Sequence, residues 1–311
     1  MSSNKMRHLL SLFDLASDEI RVILDTAVEL KREWAAGNRQ AHLEHCNLAL
    51  LFEKPSLRTR VSFECGMSQL GGHALYLGQD VGWGKRESVK DFSEVLSEYV
   101  DVIACRSYKH ETVEQLVKYS SVPVINALTD YSHPCQALAD ILTVQEEFGS
   151  LNGRHLAFVG DANNVSRSLA IACGKMGVRF TLACPEAYQF SAEEKQKIED
   201  CCEGFEFAQS TDAVQAVSDA DAIYTDVWAS MGQEKQQKQR EQDFAIFQVN
   251  QKLMQYAPEA AIFLHCLPAK RGQEVTDEVM DGSQSRIVSQ AGNRMHAQKG
   301  LLVWLLAQQS T

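Results

Sequence analysis

A chain of 311 residues with a formal net charge of −11 and nine cysteines is long enough for about two domains of ordinary size. Its acidic balance argues against a nucleic-acid groove or a membrane-surface role as the main business, and no apolar run approaches the roughly 20 residues that span a bilayer. The odd, scattered cysteines form neither a disulfide framework nor a paired zinc spacing, and the N-terminal stretch lacks a signal-peptide core, so a cytoplasmic protein without a metal is expected.

Ser17, followed by Asp18 and Glu19, reads as the N-cap of a first helix running to about Gly37. Strand and helix patterns then alternate. Strand-like runs fall at 48–52, 73–77, 101–105 and 122–127. Helices are expected between them, one opening at Ser88 with Val89, Phe92, Leu96 and Tyr99 on one face, and another beginning near Pro134. The polar, Gly-rich stretch 149–155 is the best boundary. Alternation restarts beyond it, with strand-like runs at 155–160, 179–184, 205–209, 221–226 and 260–266. Residues 233–243 are polar, an exposed loop or frayed helix long enough for a mobile lid. Residues 293–306 read as a terminal helix. Near-continuous apolar strands between helices indicate parallel sheets covered on both faces. The expected fold is α/β, two doubly wound parallel-sheet domains with a cleft between them. They would span residues 1–148 and 149–290, and a helix over 291–311 would pack back on the first domain.

Ligands of open α/β sheets sit beyond the carboxyl ends of the strands, and in this sequence those ends carry reactive groups. The first strand is followed by Ser56, Leu57, Arg58, Thr59 and Arg60. A helix start offers unpaired N–H groups and the positive end of its dipole to an anion, hydroxyls add donors, and guanidinium adds a fork that matches phosphate. The later strand ends carry Arg106, the run "HPCQ" (His133 to Gln136), "DANN" (Asp161 to Asn164), "DVWASMGQE" (Asp226 to Glu234) and "HCLPAKRG" (His265 to Gly272). Each has a plainer role. Arg58 and Arg60 could be surface charges, His133 with Pro134 a helix start, Asn164 and Asp226 helix caps, and Cys266 a small buried hydrophobe. His265 and Cys266, adjacent on a strand, should face opposite ways and not share a metal. No G-x-x-x-x-G-K-[ST] is present, and "GDANNVS" lacks the later glycines of a dinucleotide fingerprint. The phosphate carrier is therefore expected to be a small molecule.

"SLRTR", "HPCQ", "DVWASMGQE" and "HCLPAKRG", in this order and spacing, resemble the aspartate/ornithine carbamoyltransferase family, the last two being closer to its ornithine branch. The resemblance runs from about Leu9 to the terminal helix. It implies a first domain for carbamoyl phosphate and a second for L-ornithine. Ser56, Leu57, Arg58 and Thr59 would form the phosphate loop, and Arg106, His133 and Gln136 would complete that site. Cys266, Leu267 and Arg294 would lie near both substrates, and Asn164, Asp226, Ser230 and Met231 would hold ornithine. Arg58, Arg106, His133 and Cys266 would be the catalytic set, with no cofactor. The product pair would be L-citrulline and phosphate, in arginine biosynthesis. The resemblance also implies a homotrimer, or a multiple of it, in which residues 80–91 reach a neighbour's phosphate site. Three positions depart from the family. Leu57 stands where Thr is frequent, Gly292 where an acidic residue is expected, and Gly82 where some members place a Gln that touches phosphate, so that Lys85 or Trp83 would take over that contact. Competing expectations are a carbamoyltransferase for another amine (putrescine, acetylated ornithine or aspartate), a nucleotide-binding oxidoreductase and an inactive regulatory homologue. Asp226 favours an amino acid with a free α-amino group over the first, the missing glycines count against the second, and the retained Arg58, His133 and Cys266 against the third.

Overall fold

Every strand-like run of the sequence forms a strand in the computed structural model, which describes residues 6–83, 86–229 and 236–307. The chain divides into two compact units, Met1–Ala139 with Gly292–Thr311, and Asp140–Ala291. In the first, β1 (Asn47–Phe52), β2 (His73–Leu77), β3 (Val102–Arg106) and β4 (Val124–Leu128) form a sheet in the order β2-β1-β3-β4. Every neighbouring pair is parallel. Leu48 to Leu51 and Val102 to Cys105 are fully buried, as strands covered on both faces must be. The helices α1 (Ser17–Ala35), α2 (Leu57–Gln69), α3 (Val89–Ser97) and α4 (His110–Tyr119) belong to this unit. The division of the chain falls inside α5 (Pro134–Phe148), ahead of the Gly-rich stretch 149–155.

The second unit carries β5 (His155–Val159), β6 (Arg179–Ala183), β7 (Phe207–Ser210), β8 (Ala222–Thr225) and β9 (Ile262–His265), all parallel, in the order β7-β6-β5-β8-β9. Around them lie α6 (Asn164–Met176), α7 (Ala192–Glu199), α8 (Ala213–Val217), α9 (Gln237–Asp243), α10 (Gln251–Met254) and α11 (Asp277–Met280). The last helix, α12 (Ile287–Ala307), begins in the second unit and continues in the first. There Gly300 lies so close to α1 that a Cβ would meet the Ile23 carbonyl at 2.4 Å. In both sheets the winding reverses beside the first strand of the unit, between β1 and β3 and between β5 and β8. These are the switch points at which open α/β sheets take ligands.

Several local expectations are corrected. Ser17 is the first helical residue and Ala16 the cap, because the Glu19 carboxylate accepts the Ala16 N–H at 2.7 Å. Tyr99 lies past the end of α3 and is exposed. Phe92 and Leu96 pack against the core as expected, beside buried Ser93 and Ser97, whose hydroxyls donate to the Leu116 and Ser93 carbonyls at 2.9 and 2.7 Å. Trp83 sits in the hydrophobic core around Ile103 and Val124, its ring 6.0 Å from Phe92. It is therefore committed to its own chain and cannot serve a neighbour's site. The described part of the polar run 233–243 is helix α9, with Arg240 buried. Among the described residues no helix is long and apolar enough to cross a membrane.

Candidate active site

Beyond the carboxyl ends of β1 and β3, the first unit gathers cations. Ser56 caps α2, its hydroxyl oxygen accepting the Thr59 N–H at 3.3 Å. The first turn of α2, with its unpaired N–H groups, thus opens at the switch point. Thr59 is fully buried. Its Oγ1 accepts from Arg294 Nη2 at 2.9 Å and from Arg106 Nη1 at 3.3 Å. A hydroxyl with both lone pairs engaged has only its proton left to offer, so Thr59 is set as a donor. Arg294 Nη1 also donates to Gln136 Oε1 at 2.9 Å. Arg106 is the last residue of β3, paired in register with Phe52 of β1. His133 precedes Pro134, the first residue of α5, and is buried. Arg60, in contrast, turns outward to Glu64 at 2.9 Å and stacks on Tyr76. The surface-charge role therefore holds for Arg60 and not for half-buried Arg58.

These groups repel one another. Burial first, then Arg294 and Arg58, pull the Arg106 guanidinium down to about 10. Burial, followed by Arg294, Arg106 and Lys54, holds the His133 imidazole well below its ordinary value. His133 is thus neutral near pH 7, a hydrogen-bonding group and not a charge. Lys54 was missed by the sequence reading. It is buried, and its ammonium lies 4.6 Å from the centre of the Tyr108 ring. Burial and then Arg106 lower it, while Asp130 and Glu53 raise it. The preceding residue, Glu53, is spent on structure, accepting from Ser107 Oγ at 2.5 Å and Tyr108 N at 2.9 Å. A buried arrangement of like charges is costly unless a ligand of opposite sign completes it. What it can do chemically is bind a compact polyanion and donate hydrogen bonds to an oxygen that becomes negative.

The second unit presents an acidic and thiol group at its own switch point. Asp226 follows β8 and is buried. Its Oδ1 accepts from the Val227 N–H at 2.8 Å and from Cys266 Sγ at 3.1 Å, and its Oδ2 from Asn163 Nδ2 at 3.3 Å. Asn163, not Asn164, caps α6, so Asn164 stands one position inside the helix. Asp226 bonds across the switch point instead of capping a helix. Burial first, then the Asp226 carboxylate, push the Cys266 thiol well above its ordinary value. Cys266 is thus a neutral donor, unsuited to taking a proton from an amine. Leu267 has the left-handed φ of 58° and joins Pro268 through a cis peptide bond. Its N–H donates to His265 Nδ1 at 2.9 Å, while His265 Nε2 faces Glu274 Oε1 at 3.2 Å. The expectation that His265 and Cys266 face apart fails because β9 ends at His265. Ligand-type atoms of Asp226, His265 and Cys266 lie within 4.8 Å of one another, with both ring nitrogens of His265 engaged as described.

The structure therefore brings Ser56, Leu57, Arg58, Thr59, Arg106, His133, Gln136 and Arg294 into one unit, and Asn164, Asp226, Cys266 and Leu267 into the other. Lys85, Ser230 and Met231 lie outside the described residues. Gly82, where a Gln was expected, has a φ of 67°, a left-handed backbone that favours glycine.

Two family models match the chain in tandem: the carbamoyl-P binding domain of aspartate/ornithine carbamoyltransferase over residues 7–146 and its Asp/Orn binding domain over residues 152–305. An ornithine carbamoyltransferase of Anoxybacillus flavithermus is 50% identical over 307 residues, 97% of each chain. An ornithine carbamoyltransferase of Pyrococcus furiosus described as anabolic is 48% identical, covering 96% of each chain. The solved structure of ornithine carbamoyltransferase from Pyrococcus furiosus superposes with a TM-score of 0.94 at 47% identity, covering 99% of both chains.

Proposed function

The chain belongs to the aspartate/ornithine carbamoyltransferase family, and from that premise we propose that it transfers the carbamoyl group of carbamoyl phosphate to the side-chain amine of L-ornithine, giving L-citrulline and phosphate. The observation that carries the substrate pair is the split of charge between the units. Buried cations crowd together at one switch point, Arg106 beside Arg294 and Arg58, and a buried carboxylate stands at the other. The first suits the phosphate of carbamoyl phosphate, the second the α-ammonium of an amino acid.

Catalysis follows from the donors. The phosphate rests on the N-terminus of α2 and Arg58, with Ser56 and the Leu57 backbone framing it. The neutral amine adds to the carbonyl carbon, and the carbonyl oxygen becomes an oxyanion. Arg106, the Thr59 hydroxyl and neutral His133 donate to that oxygen, the kind of preorganised stabilisation that is usually the largest catalytic contribution. Gln136 holds Arg294 in place for the same anion. The tetrahedral centre then collapses, the C–O bond to phosphate breaks, and α2 and Arg58 stabilise the charge that leaves. Asp226 anchors the α-ammonium, Asn164 the amino-acid end, and the Cys266 thiol orients the Asp226 carboxylate. Much of the rate comes from holding two substrates in attack geometry.

Citrulline formation from carbamoyl phosphate and ornithine is the direct test. Arg58→Ala should abolish turnover with the fold intact, and putrescine or acetylated ornithine should be poor substrates. A better rate with either would overturn the ornithine assignment. The reading extends to a cytoplasmic enzyme of arginine biosynthesis, supported by nine free cysteines and by the anabolic relative above. It also extends to a homotrimer or a multiple of it. The open edge strand β2 and the exposure of Leu75, Val95 and Tyr99 support an interface on the first unit. Sedimentation equilibrium tests the assembly. A fully active monomer would refute it.

A further inference from the structure

A buried arginine–carboxylate pair in the second unit plays no part in the chemistry above. Asp161 and Arg240, 9% and 7% exposed, meet at the end of β5 with Nη1 to Oδ2 at 2.5 Å. The same Nη1 donates to the Trp228 carbonyl at 2.9 Å. The guanidinium lies over the Tyr188 ring at 4.8 Å, and Tyr188 is itself tied down, its hydroxyl donating to Asp243 at 2.7 Å and its ring packing on Phe244. Trp228 also stacks on Phe244, its ring centre 5.9 Å away. One guanidinium therefore grips both the strand end that leads to Asn163 and the turn that begins at Asp226. A polar run is an unusual place for a buried arginine unless its charge is required.

We propose that Arg240, held by Asp161, is a positioning residue for the amino-acid half of the reaction. Through the Trp228 carbonyl it fixes the turn that presents the Asp226 carboxylate. By neutralising Asp161 it also leaves Asp226 as the carboxylate available to a ligand ammonium. Asp161 and Asp226 are close enough to affect each other. Burial, and more weakly Asp226, hold the Asp161 carboxyl above its ordinary value against the pull of Arg240. Without Arg240, Asp161 would lose the cation that pairs with it beside Asp226, and the backbone of the turn would lose its fixed point at the Trp228 carbonyl. The inference rests on Asp226 being the anchor of the α-ammonium.

Steady-state kinetics on Arg240→Met, Asp161→Asn, Asp226→Asn and the Arg240→Met/Asp226→Asn double variant test it. Arg240→Met and Asp161→Asn should each raise the ornithine KM by about ten-fold or more, toward the roughly hundred-fold cost of a small misplacement. The carbamoyl phosphate KM should stay unmoved. The double variant should be no worse than Asp226→Asn alone, since Arg240 acts through Asp226. Asp161→Asn keeps the side-chain shape and carries the test if Arg240→Met does not fold. If Asp226→Asn raises the ornithine KM while Arg240→Met and Asp161→Asn do not, the inference is overturned and the substrate assignment stands. If Asp226→Asn leaves that KM unchanged, the anchor assignment fails and the inference fails with it. Equal loss for both substrates, or additive effects in the double variant, would reduce the pair to a structural role and overturn the inference.

Discussion

Replacing Arg106 by Met should stop the enzyme while leaving its ligand-free fold at least as stable. Arg106 is buried, and burial together with Arg294 and Arg58 brings its guanidinium to about 10. It therefore remains charged at pH 7, with roughly a thousandth neutral. Holding that charge costs roughly 3 kcal/mol relative to a solvated arginine, at about 1.4 kcal/mol per tenfold. Methionine removes the charge and fills much of the same stem. Thr59 keeps the Arg294 hydrogen bond at 2.9 Å, so no acceptor is stranded. The thermal midpoint without ligand should stay level or rise by a few degrees. Turnover should fall by about 10²–10³, the usual loss for one oxyanion donor. Carbamoyl phosphate, which stabilises the wild type by binding the native state, should no longer raise the midpoint. Differential scanning calorimetry with and without carbamoyl phosphate, beside initial rates of citrulline formation, measures both halves. A midpoint lowered by several degrees without ligand, or turnover within about ten-fold of wild type, would refute the account of a repulsive site completed by its anion.

Lys54→Met should raise the carbamoyl phosphate KM by about ten-fold or more, a charge-assisted contact being worth about 1.5–3 kcal/mol, with the ornithine KM unchanged; substrate-resolved kinetics check this. His133 is held well below its ordinary value. Its contribution to stability is present above the unfolded-state value near 6.5 and lost as pH falls toward the depressed folded value. His133→Asn should therefore lose less stability between pH 7 and about 5 than the wild type, measured by urea titration at each pH. Cys266, neutral because of burial and Asp226, should resist iodoacetamide at pH 8 while exposed Cys65 reacts, as peptide mapping would show. Trp83→Ala should cost about 3–5 kcal/mol by opening a cavity in the core, read from the denaturation midpoint.

The strands were legible because parallel strands covered on both faces leave near-continuous apolar runs such as Leu48 to Leu51. The switch-point groups were legible for a related reason, since strand ends are where such folds hold ligands. What escaped depends on distance across the chain. Lys54 looks like any loop lysine until Arg106 and His133 arrive beside it. Arg240 sits in a run of glutamines and lysines, and only its meeting with Asp161, 79 positions away, sets it apart. Trp83 stands in a Gly-rich loop, and its burial requires strands from elsewhere in the unit. The cap at Asn163 in place of Asn164 is a choice between neighbours of one type, decided by which side chain reaches the N–H groups of Val165 and Ser166.

The left-handed backbone at Gly82 makes the loop that carries Trp83 intolerant of a side chain at this position. A Gln placed there would bring a Cβ to within 2.6 Å of the Arg86 side chain and hold a non-glycine residue at a φ of 67°, a strain of about 1–2 kcal/mol. Any side chain larger than glycine at this position would require a shifted loop path, and Trp83, buried in the core one residue later, resists that shift. Positions 82 and 86 therefore act as a pair: a side chain added at 82 is accommodated only when the one at 86 gives way, so a stability scan of the two together should show coupling that neither shows alone.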